Sequence, residues 1–299
     1  YQISFKSRQN YQHGNNSYRS LYIDNKIPFK EARALSIRVV KLSECGYGRA
    51  ALSAIKTVGS SPARPTKAKS RRLEFIGDSI TCGYGNQCSN QSPKFVTREE
   101  NAARTYAFFL GQLLDAEVHC ICASGNGIYH DYGCHTHNLI PELYKYTDKM
   151  LAEHFGLKAS LWDRKRYVPD MVVIKLGAND SRYCDGWDLQ DESLRTDALK
   201  KQRRLEFSDR LYAFLDQVIQ SNPDTPVLYL TDSDTILKDT IENTIRSYQA
   251  AHPGCKLYSY SFKSKRPWEG VGANGHWATT THRRVAVVLE PVIREILGW

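Results

Sequence analysis

Arg72-Leu73-Glu74-Phe75-Ile76-Gly77-Asp78-Ser79-Ile80-Thr81 is the stretch on which the fold turns. Arg72–Gly77 reads as a β-strand, and it is followed at once by a glycine, an acid and a serine. Downstream the same rhythm repeats. Asn101–Asp115 has helical spacing through Ala103, Tyr106, Ala107, Leu110 and Leu114, and Ala116–Cys122 is strand-like. Asp170–Leu176 is a short, strongly apolar run of the kind a strand buried on both faces requires. Leu199–Gln220 then reads as a helix, Pro226–Thr231 as a strand, Thr235–Ala251 as a helix, Cys255–Tyr260 as a strand and Thr280–Leu297 as a helix. Strands alternating with helices imply a parallel sheet covered on both faces, an α/β fold.

Upstream the pattern differs. Residues 1–58 read as short strands: Ile3 and Phe5 alternate with polar residues, and Ser17–Ile23 and Ala34–Leu42 are rich in Tyr, Leu, Ile and Val. Gly59–Ser70, with Pro62, Pro65 and three serines, reads as a linker. The expected organisation is a β module over 1–58, a linker over 59–70 and an α/β domain over 71–299. The chain opens on Tyr1 rather than Met, so an upstream segment is expected and the β module reads as truncated at its start.

At 41% apolar and 24% charged, the 299 residues have the balance of a globular protein. No apolar run approaches the roughly 20 residues of a membrane span. The net charge of +9 suggests an acidic partner until it is located. Residues 1–72 hold 15 basic and 3 acidic side chains, whereas the rest hold 26 and 29. The excess therefore belongs to the β module and linker, where it is either a surface for acidic glycans or a solvated face. With no helix-turn-helix or zinc module in the sequence, nucleic-acid binding is not expected. Eight cysteines are too few for a disulfide scaffold at this length. Cys82 and Cys88 flank a short loop as a candidate pair, and Cys120 and Cys122 read as small hydrophobes on a strand. Asn15 and Asn90 fit the N-glycosylation pattern.

In an open α/β sheet, sites form outside the carboxyl ends of the strands. The residues there are Gly77-Asp78-Ser79-Ile80-Thr81, Ala123-Ser124-Gly125-Asn126-Gly127 and Gly177-Ala178-Asn179-Asp180, with Gly275-His276-Trp277 just before the last helix. Alone, each has a structural reading: a helix cap, a turn, a loop hydrogen bond, a packed histidine. Together they supply what acyl transfer needs, a hydroxyl nucleophile, a base and donors for an oxyanion. Gly77-Asp78-Ser79-Ile80-Thr81 lacks the second glycine of the Gly-x-Ser-x-Gly elbow, which disfavours the common α/β-hydrolase.

These four blocks resemble those of the SGNH (GDSL-type) hydrolases. More narrowly, Arg71 to Gly85, Ser124 to Tyr129 and the spacing around His276 and His282 resemble the second family of carbohydrate esterases, of the acetylxylan esterase type. The resemblance covers roughly residues 35–299. It implies a flavodoxin-like three-layer α/β/α domain preceded by a β-sandwich (jelly-roll) module, a secreted protein, and deacetylation of xylan and related glycans without metal or cofactor. By the resemblance Ser79 is the nucleophile and His276 the base. The backbone N–H groups of Ser79 and Gly125 and the side-chain amide of Asn179 form the oxyanion hole.

The sequence departs from the SGNH pattern in one place. Many such enzymes carry an Asp three residues before the histidine, where this chain has Ala273. The expectation is a Ser79–His276 dyad with a backbone carbonyl near Asn274 orienting the histidine, and Glu269 is the candidate for a displaced acid. A carbonyl accepting from Nδ1–H leaves Nε2 free to take a proton. Tyr84, Trp187, Trp268 and Trp277 are candidate sugar-stacking residues, and Tyr129 is placed in the same cleft. His130, Cys134, His135 and His137 are metal ligands by type, but their spacing matches no common zinc pattern. The expected partner is an acetylated glycan. The alternatives are a lipid esterase or thioesterase, which would need an apolar groove, and a non-catalytic glycan-binding protein.

Overall fold

The computed structural model describes residues 2–9, 17–24, 38, 40–47, 64–88, 94–187, 191–264 and 266–299. Strands β1 (Gln2–Gln9) and β2 (Ser17–Asp24) pair antiparallel, Gln2 opposite Asp24 and Gln9 opposite Ser17. Of the strand expected over Ala34–Leu42, positions 38 and 40–42 are described and are not in a strand. The rest of that segment, and both Asn15 and Asn90, lie outside the described residues.

The sheet that organises the molecule follows. It comprises β3 (Arg71–Gly77), β4 (Ala116–Cys122), β5 (Met171–Lys175), β6 (Val227–Asp232) and β7 (Leu257–Phe262), in the order β4-β3-β5-β6-β7, with every adjacent pair parallel. Eight α-helices accompany it among the described residues. They are α1 (Ser79–Cys82), α2 (Tyr106–Leu113), α3 (Ile140–Leu143), α4 (Lys149–His154), α5 (Asp180–Asp185), α6 (Asp197–Ser221), α7 (Lys238–Ala251) and α8 (Thr279–Leu297).

Alternation along the strands splits the core into two. Ile76, Val172, Ile174, Val227 and Tyr229 face one side and pack with Phe207, Leu211 and Phe214 of α6 and Ile241 and Ile245 of α7. Leu73, Phe75, Met171, Val173, Leu228 and Leu230 face the other and meet Tyr106 and Leu110 of α2 with Val285, Leu289 and Ile293 of α8. Burying each Leu, Ile or Phe contributes about 1.5–3 kcal/mol, so apolar residues on both faces of a strand require helices on both sides of the sheet. The result is the three-layer α/β/α architecture expected.

Strand boundaries agree with the sequence reading to within about two residues. Helix α2 is shorter than the spacing implied. The side-chain amide of Asn86 donates to the carbonyls of Asn101 (2.9 Å) and Arg104 (3.2 Å), and Ala102–Arg104 forms a 3-10 turn instead. A side chain that claims carbonyls in this way competes with the first helical turn. Glu74, apolar-flanked and fully buried on β3, is held by His119 (3.0 Å) and the Tyr144 hydroxyl (3.1 Å).

Chain order reverses at β3. The connection after β3 leads to β4 on one side, and the next strand, β5, pairs on the other. A crevice opens at such a switch point outside the carboxyl ends of the strands. Ser79, Gly125 and Asn179 follow β3, β4 and β5 at this place.

Candidate active site

Ser79 is the first residue of α1. The Asp78 side chain caps that helix by accepting from the Ile80 N–H (3.0 Å), and Gly83 ends it in a left-handed conformation. The short helix keeps Ser79 at the sheet edge, largely buried but with its hydroxyl turned to His276. The Ser79 Oγ lies 2.7 Å from His276 Nε2.

His276 comes from a tight turn between two backbone bonds. Val271 and Trp277 form an antiparallel bridge, and the Gly272 N–H donates to the His276 carbonyl (2.9 Å). Within this turn the Ala273 carbonyl accepts from the His276 backbone N–H (3.1 Å) and lies 3.0 Å from Nδ1. A carbonyl can only accept, so Nδ1 carries the proton and Nε2 accepts from the Ser79 hydroxyl. The orienting carbonyl is thus that of Ala273, the residue at the position where the acid is missing. Glu269 is not the displaced acid. Its carboxylate is engaged by the Arg284 guanidinium, with Nη2 at 3.0 Å, and by the Thr281 hydroxyl at 2.9 Å. Burial works to raise the Glu269 carboxyl, but these hydrogen bonds outweigh it and hold it below the ordinary carboxylate range.

The serine and histidine loops are stitched together. The Ala273 N–H donates to the Gly85 carbonyl (3.1 Å), the Thr279 N–H to the Asn86 carbonyl (3.0 Å), and the Asn274 amide to the Tyr84 hydroxyl (3.0 Å). Gly85 has φ +57°, and a Cβ there would stand 2.3 Å from that of Ala273, so the approach needs glycine. The motif spacing gave no signal for this seam.

The loop after β4 is held from the far side by Asp180. Its carboxylate accepts from the N–H groups of Ile128 (3.0 Å), Tyr129 (2.7 Å) and His130 (3.0 Å). Burial pushes the Asp180 carboxyl up to about 6, against the lowering by those three amides. Asn179, at the start of α5, donates from Nδ2 to the Asn126 carbonyl (2.8 Å), which ties the third block to the second and fixes the amide. Gly125 has φ +78°, a conformation that L side chains rarely adopt. The Ser79, Gly125 and Asn179 loops therefore share one rim, linked further by the Ala123 N–H donating to the Gly77 carbonyl (3.3 Å).

Several expectations are corrected. Trp277 is 2% exposed and packs against Tyr106, Phe262 and His282, so no face is left for a sugar. The Tyr129 hydroxyl donates to the Glu206 carboxylate on α6 at 2.7 Å. Tyr84 stands at the site as a wall: its ring stacks on Phe95 at 3.8 Å and lies 4.5 Å from that of His276. Trp187 and Trp268 are 67% and 76% exposed. Cys82 and Cys88 are not bridged, and all eight cysteines are free. His130, His135 and His137 go separate ways, onto the Tyr183 ring, Asp131 and Glu153. Among the described residues no group of three potential metal ligands converges.

A flavodoxin-like α/β protein with a hydrogen-bonded serine–histidine pair at the switch point of its sheet is the class this geometry defines. The sequence profile of the GDSL-like lipase/acylhydrolase family matches residues 75–294, and the chain belongs to that family. Among curated relatives, the cellulase/esterase CelE of Acetivibrio thermocellus is 29% identical over 245 residues. An acetylxylan esterase/glucomannan deacetylase of Cellvibrio japonicus is 24% identical over 270 residues. These alignments take in 78% and 88% of this chain but only 26% and 67% of those proteins. Among solved structures, a family two carbohydrate esterase from Clostridium thermocellum, determined with cellohexaose, superimposes with a TM-score of 0.78 at 22% identity, over 100% of this chain and 90% of that one. A family two carbohydrate esterase from Cellvibrio japonicus gives 0.76 at 17% identity, over 100% and 86%. The fold is shared with both.

Proposed function

We propose that this chain is a serine esterase that removes O-acetyl groups from polysaccharides or oligosaccharides such as acetylxylan. The observation that carries the reading is the Ser79–His276 pair at 2.7 Å, with Nδ1 fixed on a backbone carbonyl. The Cellvibrio japonicus relative named as an acetylxylan esterase/glucomannan deacetylase supports the substrate class.

In this reading Ser79 Oγ attacks the acetyl carbonyl carbon and His276 Nε2 takes the hydroxyl proton. The negative charge that develops on the carbonyl oxygen is met by the N–H groups of Ser79 and Gly125 and the second amide hydrogen of Asn179. Donors fixed before the reaction need no reorganisation as that charge forms. The intermediate collapses by breaking the bond to the sugar oxygen, which receives the proton from Nε2. A water then loses its proton to Nε2 and attacks the acetyl-serine, and acetate leaves as Ser79 regains its proton. The Ala273 carbonyl keeps the required tautomer, although it stabilises the imidazolium less than a carboxylate would.

Residues 71–299 are assigned to the catalytic domain, 59–70 to a linker and 1–58 to a β-sandwich accessory module. The antiparallel β1–β2 pair is in keeping with that module. Trp187 and Trp268, broad exposed aromatic faces, are assigned to glycan contact, and a secreted protein is the reading that the family resemblance supports.

Acetate release from acetylated xylan, compared with hydrolysis of long-chain acyl esters, tests the reading with Ser79→Ala as control. Release that disappears in Ser79→Ala is expected. Full turnover by that variant, or cleavage confined to long acyl chains, would overturn it.

A further inference from the structure

The search for function outside the serine–histidine pair leads to a residue on the other side of the linker. Glu44 precedes the α/β domain in sequence, yet its buried carboxylate reaches the loop after β4. Its Oε2 accepts from the Ser124 backbone N–H at 2.7 Å and lies 3.5 Å from the Cys82 sulfur at the end of α1. Ser124 directly precedes Gly125. The Glu44 segment is itself fixed to the domain: the Glu44 N–H donates to the Glu100 carboxylate (3.1 Å), and the Ala102 N–H donates to the Leu42 carbonyl (2.9 Å). Tyr47 of the same segment packs on Phe95 (4.7 Å), the ring that stacks on Tyr84.

We infer that Glu44, paired with Glu100, is a positioning residue for the oxyanion hole, so that the segment before the linker completes the catalytic site. The inference rests on the esterase reading above. A backbone N–H that is bonded to a fixed carboxylate cannot swing, and the peptide that carries Gly125 N–H is the next one along. Asp180 holds the downstream end of this loop through Ile128 to His130, and Glu44 holds the upstream end, so Gly125 is spanned by two buried carboxylates.

Two buried acids this close do not both ionise readily. Burial raises the Glu44 carboxyl, and burial together with the nearby Glu44 charge pushes Glu100 up to about 8. Glu100 therefore keeps its proton near neutral pH. Ionising Glu100 adds a negative charge next to Glu44, which holds the loop that carries Gly125, and disfavours a transition state that builds negative charge at that loop. The groups facing the pair are Lys41, Cys45 and Tyr47 on its own segment, Cys82 on α1, Tyr84 after it and Cys122 on β4, with Asp148 before α4 facing Lys41 and Cys45. Of these, Lys41 is the cation, and burial lowers its pKa.

The test compares wild type, Glu44→Ala and Glu44→Gln in the full chain, with acetate release and with a fluorophosphonate that labels Ser79. Labelling amplitude counts folded sites, and labelling rate and kcat report their competence. Glu44→Ala is expected to keep its KM within about twofold while kcat per labelled site falls about 10- to 100-fold, less than the roughly 100- to 1000-fold for loss of an oxyanion donor itself. Glu44→Gln, which keeps an acceptor, is expected to recover most of that loss and to lose the fall in kcat expected of wild type as pH rises through about 8. Unchanged kcat per site in a folded Glu44→Ala would overturn the inference. Should Glu44→Ala not fold, the Glu44→Gln pH profile decides: an alkaline fall identical to wild type overturns it, and loss of that fall supports it. No labelling and no acetate release by wild type would instead count against the esterase reading itself.

Discussion

His276 and His282 stand six residues apart, one just before α8 and one within it, and their surroundings differ sharply. His276 sits in the turn before α8, partly open to solvent, with one nitrogen on a carbonyl and the other on a hydroxyl. His282 lies inside α8 and is 1% exposed, stacked parallel to the Tyr106 ring and edge-on to Trp277. Its Nδ1 accepts from the Tyr106 backbone N–H at 3.2 Å, so it provides the acceptor that the first turn of α2 requires. Burial, with the nearby charges of Lys175 and His276, lowers its pKa to about 3. In the proposed mechanism the imidazole that faces a hydroxyl carries a proton, whereas the one among apolar and cationic surroundings is a neutral structural acceptor.

The sharpest way to break this contrast is to remove each ring. His276→Ala is expected to lower kcat on an acetyl ester by at least about a thousandfold, as loss of the base does where serine and histidine act as a unit, with little change in melting temperature. His282→Ala is expected to leave Ser79 reactive toward a fluorophosphonate in the folded fraction while costing about 2–4 kcal/mol of stability, because a buried ring and an acceptor are both lost. The contrast fails if His282→Ala leaves stability unchanged, or if His276→Ala retains turnover.

The next effect is on stability against pH. A histidine whose pKa is lower in the folded than in the unfolded state contributes stability that is complete above the unfolded value and is lost as pH falls. For His282 the window runs from about 6.5 down to about 3. Between pH 7 and pH 5 this one group should cost about 2 kcal/mol, at about 1.4 kcal/mol for each unit below 6.5. Denaturant unfolding of wild type and His282→Gln at both pH values checks this. Equal slopes for the two proteins would rule out His282 as the source.

How far the sequence speaks follows the same division. The sheet was legible because Phe75-Ile76 and Val172-Val173-Ile174 are apolar on both faces, and only two helical layers can cover such strands. Ser79, Asn179 and His276 were legible because each directly follows a strand or precedes a helix at the sheet edge. What was hidden depends on contacts between distant loops. Nothing in the spacing shows that Ala273 lends its carbonyl, that Gly85 admits the Ala273 methyl, or that Glu44 crosses the linker to Ser124. Trp277 was misread because adjacency in sequence to His276 says nothing about direction: consecutive residues of an extended segment point to opposite sides, so a histidine facing the cleft sends the next ring into the core.

That argument makes the last and smallest prediction, which separates the tryptophans. Trp277→Ala removes a ring from a packed cluster and should cost about 3–5 kcal/mol, with any loss of activity following unfolding. Trp268 lies on the 3-10 turn Pro267–Glu269, exposed on the protein surface, with the Arg266 guanidinium 5.7 Å from its ring. Its removal should change stability by no more than about 0.5 kcal/mol, as for other exposed positions. If Trp268 stacks on sugar, Trp268→Ala raises KM for an acetylated oligosaccharide by about two- to tenfold, the loss of about 0.5–1.5 kcal/mol of ring contact. The same variant leaves KM for a small aryl acetate unchanged, since an acetyl group alone does not reach the turn. Equal changes on both substrates would mean that the turn acts through Glu269 and Arg284 on the histidine loop. Glu269→Gln would then reproduce the effect, because its ion pair with Arg284 and its hydrogen bond from Thr281 anchor that turn to α8.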